Sequence, residues 1–251
     1  LGVLVDGHDH PRRVHPGEML DSTRDAAGDV QGRRHRLAGL AHLERVRDPA
    51  VVDDGSRDDT AGTVERLAAG NPRVVVQREP HRGKGGTVRA GMLAARADLR
   101  FMCDADLSMP VQELDRFLAL VPSQFDIVIG SREGSGAQRV GEPGYRHRMG
   151  RIFNSLVRQA AVPGINDTQC GFKMFTGEAA DAVFSRVTIE GWAFDIEALV
   201  VARRRGLRVH ELPIEWHYRE QSQVSPLRDS FLMARDVMRI RANAARGKYD
   251  G

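Results

Sequence analysis

Two aspartates separated by one residue, Asp104 and Asp106, have the residue types and spacing that point most directly to chemistry in this chain of 251 residues. They follow a short apolar run from Phe101 to Cys103, which is typical of a buried strand. Because both carboxylates then stand at one turn, they can reach a single divalent cation. Mg2+ and Mn2+ prefer carboxylate and water oxygens and often share their shell with substrate phosphates. The pair therefore predicts a metal site with a nucleotide diphosphate as partner.

The same turn also has a purely structural interpretation. Ser108 and Pro110 open a predicted helix that runs to Val121, so Asp106 or Ser108 can act simply as its cap. A strand-to-helix corner is, however, also where open α/β sheets bind ligands. An isolated Asp-x-Asp favours the structural interpretation, because short motifs often occur by chance. The neighbouring motifs are therefore needed to distinguish a metal site from a helix cap.

Carboxylates follow an earlier apolar run as well. Asp53 and Asp54 come directly after the predicted strand at residues 50–52. A helix capped by Asp59 or Thr60 then leads to a second strand, rich in valine, at residues 73–77. The order of strand, helix and strand, with a crossover of this length, predicts a parallel pair.

A glycine-rich loop at residues 81–86, His-Arg-Gly-Lys-Gly-Gly, precedes the next predicted helix. Glycines let the backbone approach an anion, and a helix N-terminus offers free N–H groups. Lys84 and Arg89 add positive charge. An ordinary turn explains the loop equally well, since its spacing matches neither a Walker A loop nor a dinucleotide fingerprint.

Alternating elements continue downstream. We expect strands at residues 125–130, 166–175, 207–212 and 214–218, and helices at residues 145–161 and 178–184. The glycine-rich stretch 133–143 is typical of a mobile loop over a site. The arginines of the helix at 145–161 are most simply a solvated face. His217 is a candidate third metal ligand, although a lone histidine on a strand is more often structural.

The last predicted helix, residues 226–244, carries an apolar stripe of Leu227, Phe231, Ala234 and Met238 beside several arginines. Such a stripe usually packs on the core of its own domain. A basic amphipathic helix can instead lie on an anionic membrane surface. Both interpretations stay open at this stage.

Residues 1–49 differ from the rest of the chain. They contain no Lys, Ile, Phe, Tyr, Trp, Asn or Cys, and their glycines and prolines interrupt the only strand-like run, from Leu1 to Val5. We therefore expect no central strand from this segment. It is either a disordered basic leader or a segment translated out of frame.

Composition limits the class of protein. A hydrophobic share of 41% and a charged share of 28% suit one large α/β domain. The net charge of +3, from 37 basic and 34 acidic residues, gives no support to nucleic-acid binding. Cys103 and Cys170 are isolated, which argues against a disulfide framework or a zinc site and favours a reducing compartment. Without a spanning run or a signal-peptide core, we expect a cytoplasmic location, with peripheral membrane attachment left open.

The motifs in their order resemble family 2 glycosyltransferases of GT-A fold, nearest to the dolichyl-phosphate glucosyltransferase and polyprenyl-phosphate hexosyltransferase group. They are VVDDGSRDDT, HRGKGGTVRAGM, DADLS, GSR, DTQCGFKMF and GWAFDIEAL. The resemblance implies a mostly parallel central sheet flanked by helices. We place the glycosyltransferase domain at residues 50–244 and a C-terminal tail at 245–251. The family's first strand and its Pro-x-Tyr-Asn-Glu-like turn have no match in residues 1–49, so that strand is expected to be missing.

The resemblance implies an inverting transfer of a hexose from a nucleotide sugar, with UDP-glucose as the expected donor, to a polyprenyl phosphate. Asp53 and Asp54 would hold the base and ribose, and Lys84, Gly85 and Arg89 would line the diphosphate. Asp104 also belongs to this nucleotide-sugar site. With Asp106 it would bind Mg2+ or Mn2+, which stabilises the leaving diphosphate as a Lewis acid.

On the acceptor side, the resemblance assigns Arg132, Arg148 and Arg151 to the acceptor phosphate, because guanidinium groups form paired bonds to phosphate oxygens. Arg132, Asp106 and Asp195 are the expected catalytic residues. Gln169 and Lys173 would lie near the sugar and phosphates. Trp192 and Asp195 would face the hexose, with a helix cap as the alternative role of Asp195.

Other functions remain open. One is a glycosyltransferase that acts on a sugar hydroxyl. A sugar-phosphate nucleotidyltransferase would share a related sheet, but it needs a basic glycine-rich phosphate loop near its start, and none is present. The last is an inactive remnant that lacks the first nucleotide-binding strand.

Overall fold

The structure is a computed structural model that describes residues 2–6, 50–104, 106, 108–142, 161–218 and 226–250. The strands are β1 Gly2–Asp6, β2 Ala50–Asp53, β3 Val75–Arg78, β4 Leu99–Asp104, β5 Ile127–Ser131, β6 Gln138–Val140, β7 Phe172–Thr176, β8 Val209–Pro213 and β9 Glu215–His217. The α-helices are α1 Thr60–Leu67, α2 Lys84–Ala94, α3 Leu114–Leu118, α4 Gly177–Phe184, α5 Phe194–Arg204 and α6 Pro226–Ala245, and a 3-10 turn at Val111–Glu113 precedes α3.

Seven of these strands form one sheet in the order β3-β2-β1-β4-β7-β5-β8. The first four are parallel to one another, β7 runs antiparallel to both β4 and β5, and β8 is parallel to β5. The mostly parallel α/β sheet predicted from the sequence is therefore confirmed. Since β2, β4 and β5 share one direction, their carboxyl ends meet at the same edge, which brings Asp53, Asp104 and Arg132 to one side of the domain.

The prediction that residues 1–49 supply no central strand is wrong. Gly2–Asp6 forms β1 between β2 and β4, with Val3 paired to Ala50 on one side and to Met102 on the other. The physical reason is that a short central strand draws its backbone hydrogen bonds from both neighbours, so five residues are enough. The breakers beginning at Gly7 follow this strand instead of interrupting it. Residues 7–49 lie outside the described residues, and the leader and frame hypotheses for them stay predictions.

The sheet separates two apolar clusters. On β4, Met102 belongs to the cluster beneath α2, α4 and α5, whereas Phe101 and Cys103 belong to the cluster beneath α3. This alternation is the two-residue period of a strand covered on both faces. On the α3 side the rings of Phe101 and Phe172 meet edge to face with centroids 4.6 Å apart. The rigid sheet fixes the strand ends that carry the site.

Helix α6 buries a face other than the stripe that contains Phe231, Ala234 and Met238. Met233, Val237 and Ile240 are buried, whereas Phe231 and Met238 are 71% and 62% exposed. Of the two interpretations of the Phe231 stripe, packing on the core is therefore wrong, because a second apolar stripe at helical spacing makes that contact. None of the helices in the described ranges is long and apolar enough to cross a membrane.

The chain after α6 folds back onto the domain. Tyr249 is fully buried, and its hydroxyl donates to Glu197 Oε1 at 2.7 Å. Asp250 pairs with Arg204 on α5 at 3.1 Å. The described part of the segment that we expected to be a tail thus packs against α5.

Candidate active site

Asp104 ends β4 at the carboxyl edge of the sheet, and the neighbouring chain leaves room for its side chain. Its backbone N–H donates to the Gly171 carbonyl at 3.0 Å. A Cβ atom on Gly171 would lie 2.1 Å from Asp104 Oδ2, so any side chain there would overlap the carboxylate. Gly171 lies in the DTQCGFKMF motif and had no predicted role. Its role is to admit the Asp104 carboxylate.

Lys84 reaches this carboxylate from the first turn of α2. Its Nζ lies 2.8 Å from Asp104 Oδ1 and 5.3 Å from the ring centre of Trp192. Burial alone would lower the pKa of Lys84, but the charges of Asp104, Asp195 and Asp106 outweigh burial and raise it. Lys84 is therefore a firmly charged ammonium. The structure brings together Lys84 and Asp104, which the resemblance assigned to the nucleotide-sugar site, and Trp192, which it assigned to the hexose.

A second ion pair lies close enough to the first for their charges to interact. Asp195, in the first turn of α5, accepts a hydrogen bond from Lys173 Nζ, and both side chains are almost fully buried. Lys173 Nζ also donates to the Cys170 carbonyl at 2.6 Å. Burial raises the pKa of Asp195 above its ordinary value, against the opposing charges of Lys173 and Lys84. Asp195 lies within α5, which begins at Phe194 and has Ala193 as its N-cap. The alternative role of Asp195 as a helix cap is therefore wrong.

Asp106 is exposed next to Asp104, and one of its oxygens is engaged. Its Oδ1 accepts a hydrogen bond from the Ser108 N–H at 2.9 Å, which stabilises the turn itself. The N-cap of α3 is Glu113, so neither Asp106 nor Ser108 caps that helix as the structural interpretation predicted. His217 approaches the same turn, because its N–H donates to the Ser108 carbonyl at 2.7 Å. The His217 ring itself faces Glu215, with Nε2 lying 2.6 Å from Oε1.

The donor set fits a divalent cation held jointly with substrate. Within the described ranges, no group of three or more His, Cys, Asp or Glu side chains could hold a metal. Asp104 and Asp106 offer carboxylate oxygens, and a positive group already contacts Asp104 Oδ1. Mg2+ and Mn2+ commonly use one or two carboxylates and complete their shell with phosphates and water. The pair therefore suits a cation that arrives with a diphosphate.

The two aspartates after β2 have different surroundings. Asp54 is buried, and its oxygens accept from the N–H groups of Arg82 at 2.8 Å and Gly83 at 2.9 Å. It thus fixes the loop that precedes α2. Asp53 accepts from the Ser56 N–H at 3.3 Å through Oδ2, while its Oδ1 is buried without a hydrogen-bond partner among the described residues. Of the two, Asp53 is the one with an unpaired acceptor among the described residues.

Three further predicted residues make structural contacts. Gly85 packs so closely that a Cβ would lie 2.4 Å from the Ile189 carbonyl oxygen. Arg89 Nε donates to the Phe184 carbonyl at 3.0 Å. Gln169 Nε2 lies 3.9 Å from Met233 Sδ. These contacts hold α2 and α6 in place, and direct contact of these residues with the nucleotide sugar stays a prediction.

Glu197 is a positioning residue that sequence reasoning missed. It is fully buried, and its Oε2 accepts from the N–H groups of Thr188 and Ile189, both at 2.7 Å. The adjoining Glu190 carbonyl accepts from the Gly85 N–H at 2.7 Å. Glu197 thereby fixes the segment against which the N-terminus of α2, and so Lys84, is seated. The sequence signal that could have identified it is an acidic residue among the apolar residues of a predicted helix.

Arg132 follows β5 and is tied to Asp167 by two parallel bonds. Nε lies 2.7 Å from Oδ2 and Nη2 lies 2.8 Å from Oδ1, and neither bond uses Nη1. The guanidinium also lies 5.5 Å from the ring centre of Trp216. Burial would raise the pKa of Asp167, but Arg132 outweighs it and lowers the pKa to about 2. Arg148 and Arg151, the other predicted phosphate ligands, lie outside the described residues.

Replacing Asp167 with Asn should flatten the acid dependence of stability. A carboxyl with a lowered folded-state pKa stabilises the fold above its unfolded pKa of about 4, and this contribution is lost as the pH falls towards about 2. The size of the shift corresponds to roughly 2 kcal/mol in the free energy of unfolding. Urea unfolding between about pH 2 and 7 measures it. Asp59→Asn, at an exposed aspartate, is the control. An unchanged slope in Asp167→Asn would contradict the assignment.

Solved structures similar to this chain share its fold. The complex of glucosyl-3-phosphoglycerate synthase from Mycobacterium tuberculosis with Mn2+, uridine diphosphate and phosphoglyceric acid matches with a TM-score of 0.57 and 18% identity, over 95% of this chain and 75% of that one. Mannosyl-3-phosphoglycerate synthase from Rubrobacter xylanophilus matches with a TM-score of 0.59 and 16% identity, over 98% and 75% of the two chains. At these identities the likeness establishes the GT-A fold alone.

Sequence relatives agree with the resemblance seen in the motifs. A dolichyl-phosphate beta-glucosyltransferase of Trichomonas vaginalis is 37% identical over 94% of this chain and 69% of its own length. The human protein of the same name is 34% identical over 84% of this chain and 70% of its own length. The family model described as glycosyl transferase family 2 matches residues 49–184. The chain therefore belongs to glycosyl transferase family 2.

Proposed function

We propose that this glycosyltransferase moves glucose from UDP-glucose to a dolichyl or other polyprenyl phosphate, with inversion at the anomeric carbon and with Mg2+ or Mn2+. The observation that carries the proposal is the cluster of Lys84, Asp104, Trp192 and the Lys173–Asp195 pair at the carboxyl edge of the sheet. The names of the relatives support glucose and dolichyl phosphate. The fold neighbour that binds Mn2+ with uridine diphosphate supports the nucleotide and the metal.

On the nucleotide side, each residue has a distinct task. The buried Oδ1 of Asp53 accepts an N–H from the base, while Asp54 holds the loop that carries Lys84. Asp104 and Asp106 hold the cation, which when bound neutralises the diphosphate as leaving group. Lys84 adds a second positive charge to the same diphosphate. The indole ring of Trp192 covers the adjoining hexose.

On the acceptor side, a phosphate needs orientation more than deprotonation, because a polyprenyl phosphate is already ionised at neutral pH. Arg132, with Arg148 and Arg151, holds it in line with the anomeric carbon. Asp195, held in position by its ion pair with Lys173, then orients the hexose. A sugar hydroxyl as acceptor is the second candidate, because the raised pKa of Asp195 would suit a general base. The alternative of an inactive remnant assumed that the first strand is missing, and β1 is present.

Peripheral attachment to the cytoplasmic face of a membrane is part of the proposal. The acceptor is a lipid, and α6 exposes Phe231 and Met238 with Arg235, Arg239 and Arg241 nearby. An apolar stripe flanked by arginines suits an anionic lipid surface. Nucleic acid is not a proposed partner.

A radiolabelled transfer assay tests this function. The chain is given UDP-glucose and Mn2+ with vesicles that contain either dolichyl phosphate or dolichol, and the lipid fraction is counted. We expect labelled lipid with dolichyl phosphate alone, loss of the signal in EDTA, and sedimentation of the chain with vesicles that contain phosphatidylglycerol. Equal labelling of dolichol, or transfer to a soluble glycoside instead, would refute the phosphate acceptor. Failure to sediment with anionic vesicles would remove the membrane part.

A further inference from the structure

Lys84 occupies one of the two oxygens that Asp104 offers to a metal ion. Its Nζ lies 2.8 Å from Asp104 Oδ1, and its side chain is only 16% exposed. Asp195 and Asp106 also act on the ammonium at longer range. Trp192 covers it from one side with a ring centre 5.3 Å away. The ammonium is thus held among the carboxylates by charge and by a covering ring.

The neighbouring contacts leave the Asp104 carboxylate little freedom to serve both cations. Its oxygens lie where a Cβ on Gly171 would overlap them, so the carboxylate is seated against the backbone. The buried carboxylate of Asp195, whose charge also acts on Lys84, already accepts from Lys173. Lys84 therefore cannot move to Asp195 without competing with a second ammonium. A divalent cation at Asp104 would meet Lys84 at close range, and two positive charges there repel each other.

We infer that Lys84 couples metal binding to nucleotide binding by exchanging partners. Without a nucleotide, the ammonium competes with Mg2+ or Mn2+ for Asp104. When a nucleoside diphosphate is bound, its phosphates give Lys84 a new anionic partner and free Asp104 for the metal. Metal and nucleotide then strengthen each other's binding by the same factor, as linkage requires. This inference rests on the proposed function, because it takes Asp104 and Asp106 as metal ligands.

Mn2+ binding, followed through the electron paramagnetic resonance signal of the free ion, tests the inference without any turnover. The full chain is titrated with and without saturating UDP. Lys84→Met should tighten Mn2+ binding in the absence of UDP by at least about fivefold, the low end of common coupling factors, and should reduce the gain from UDP by a similar factor. Lys248→Met, at an exposed lysine on the C-terminal segment, should behave like the parent chain.

Two more variants separate this inference from the proposed metal site. Lys84→Arg keeps the charge and should keep the weak binding of Mn2+ without UDP. If it tightens binding as Lys84→Met does, repulsion is not the cause and the inference fails. Asp104→Asn should abolish binding in both conditions. If it does so while Lys84→Met binds Mn2+ like the parent, the exchange is wrong and the metal site stands. If Asp104→Asn binds Mn2+ normally, the metal assignment itself falls.

Discussion

Asp106→Asn is expected to lower glucose transfer by at least about a hundredfold, comparable to the loss of one electrostatic stabiliser in an active site. The substitution separates the two roles of this residue. An asparagine keeps an oxygen that can accept the Ser108 N–H, now at 2.9 Å, so the turn is preserved. It loses the negative charge that a divalent cation needs. A large loss of turnover with an unchanged melting temperature would therefore report metal binding.

The measurement is kcat/KM for UDP-glucose at saturating Mn2+ with dolichyl phosphate as acceptor. Asp59→Asn is the matched control, since Asp59 is an exposed aspartate that pairs with Arg66 at 2.6 Å, just before α1. It should retain the parent rate. If Asp106→Asn is as active as the parent chain, Asp106 serves only to stabilise its turn and the metal assignment fails.

Strand ends were the most predictable part of the site. Asp53, Asp104 and Arg132 each follow an apolar run, and parallel strands carry such ends to one edge. The apolar runs have a clear local cause, because burial on both faces requires continuous hydrophobic residues. Strand β1 was not predicted, because its backbone hydrogen bonds come from its two neighbouring strands, β2 and β4. A five-residue run carries too little local signal to reveal partners that lie far along the chain.

Contacts within the site were less predictable. The fit of Gly171 against Asp104 depends on the antiparallel pairing of β4 with β7, which no local pattern encodes. The choice of stripe on α6 was ambiguous, because two apolar stripes compete and only the packed domain decides which one is buried. The bond between Arg132 and Asp167 likewise joins residues 35 positions apart. Pairings of this kind follow from topology, which the order of motifs indicates only through family resemblance.

The identity of the acceptor leads to the second large effect: Arg132→Ala should reduce transfer to dolichyl phosphate by about a hundredfold or more, and more than Asp195→Asn does. A phosphate acceptor needs no general base, so its cations matter most. Asp195 still orients the hexose, and a moderate loss there is expected. A hydroxyl acceptor would reverse the order, since removal of its base costs about two to four orders of magnitude.

Both substitutions break an ion pair that contains a buried aspartate. The resulting loss of stability must be distinguished from a loss of catalysis. Arg132→Ala leaves Asp167 without its guanidinium, and Asp195→Asn leaves the ammonium of Lys173 without its carboxylate. Removing one partner of a buried pair commonly costs about 3–5 kcal/mol of stability. Asp167→Asn supplies the matched control for Arg132, because it breaks the same pair and keeps the guanidinium. It should retain transfer to dolichyl phosphate, while the double variant Arg132→Ala with Asp167→Asn should not.

Initial rates are measured across a range of dolichyl phosphate concentration, at a temperature well below the lowest melting midpoint. The phosphate role of Arg132 predicts that the double variant loses apparent affinity for the acceptor while its KM for UDP-glucose changes little. If Asp195→Asn abolishes transfer while Arg132→Ala leaves it intact, Arg132 serves only to anchor Asp167. Asp195 is then the base for a hydroxyl acceptor, and its raised pKa, which burial causes, becomes the property that the reaction uses.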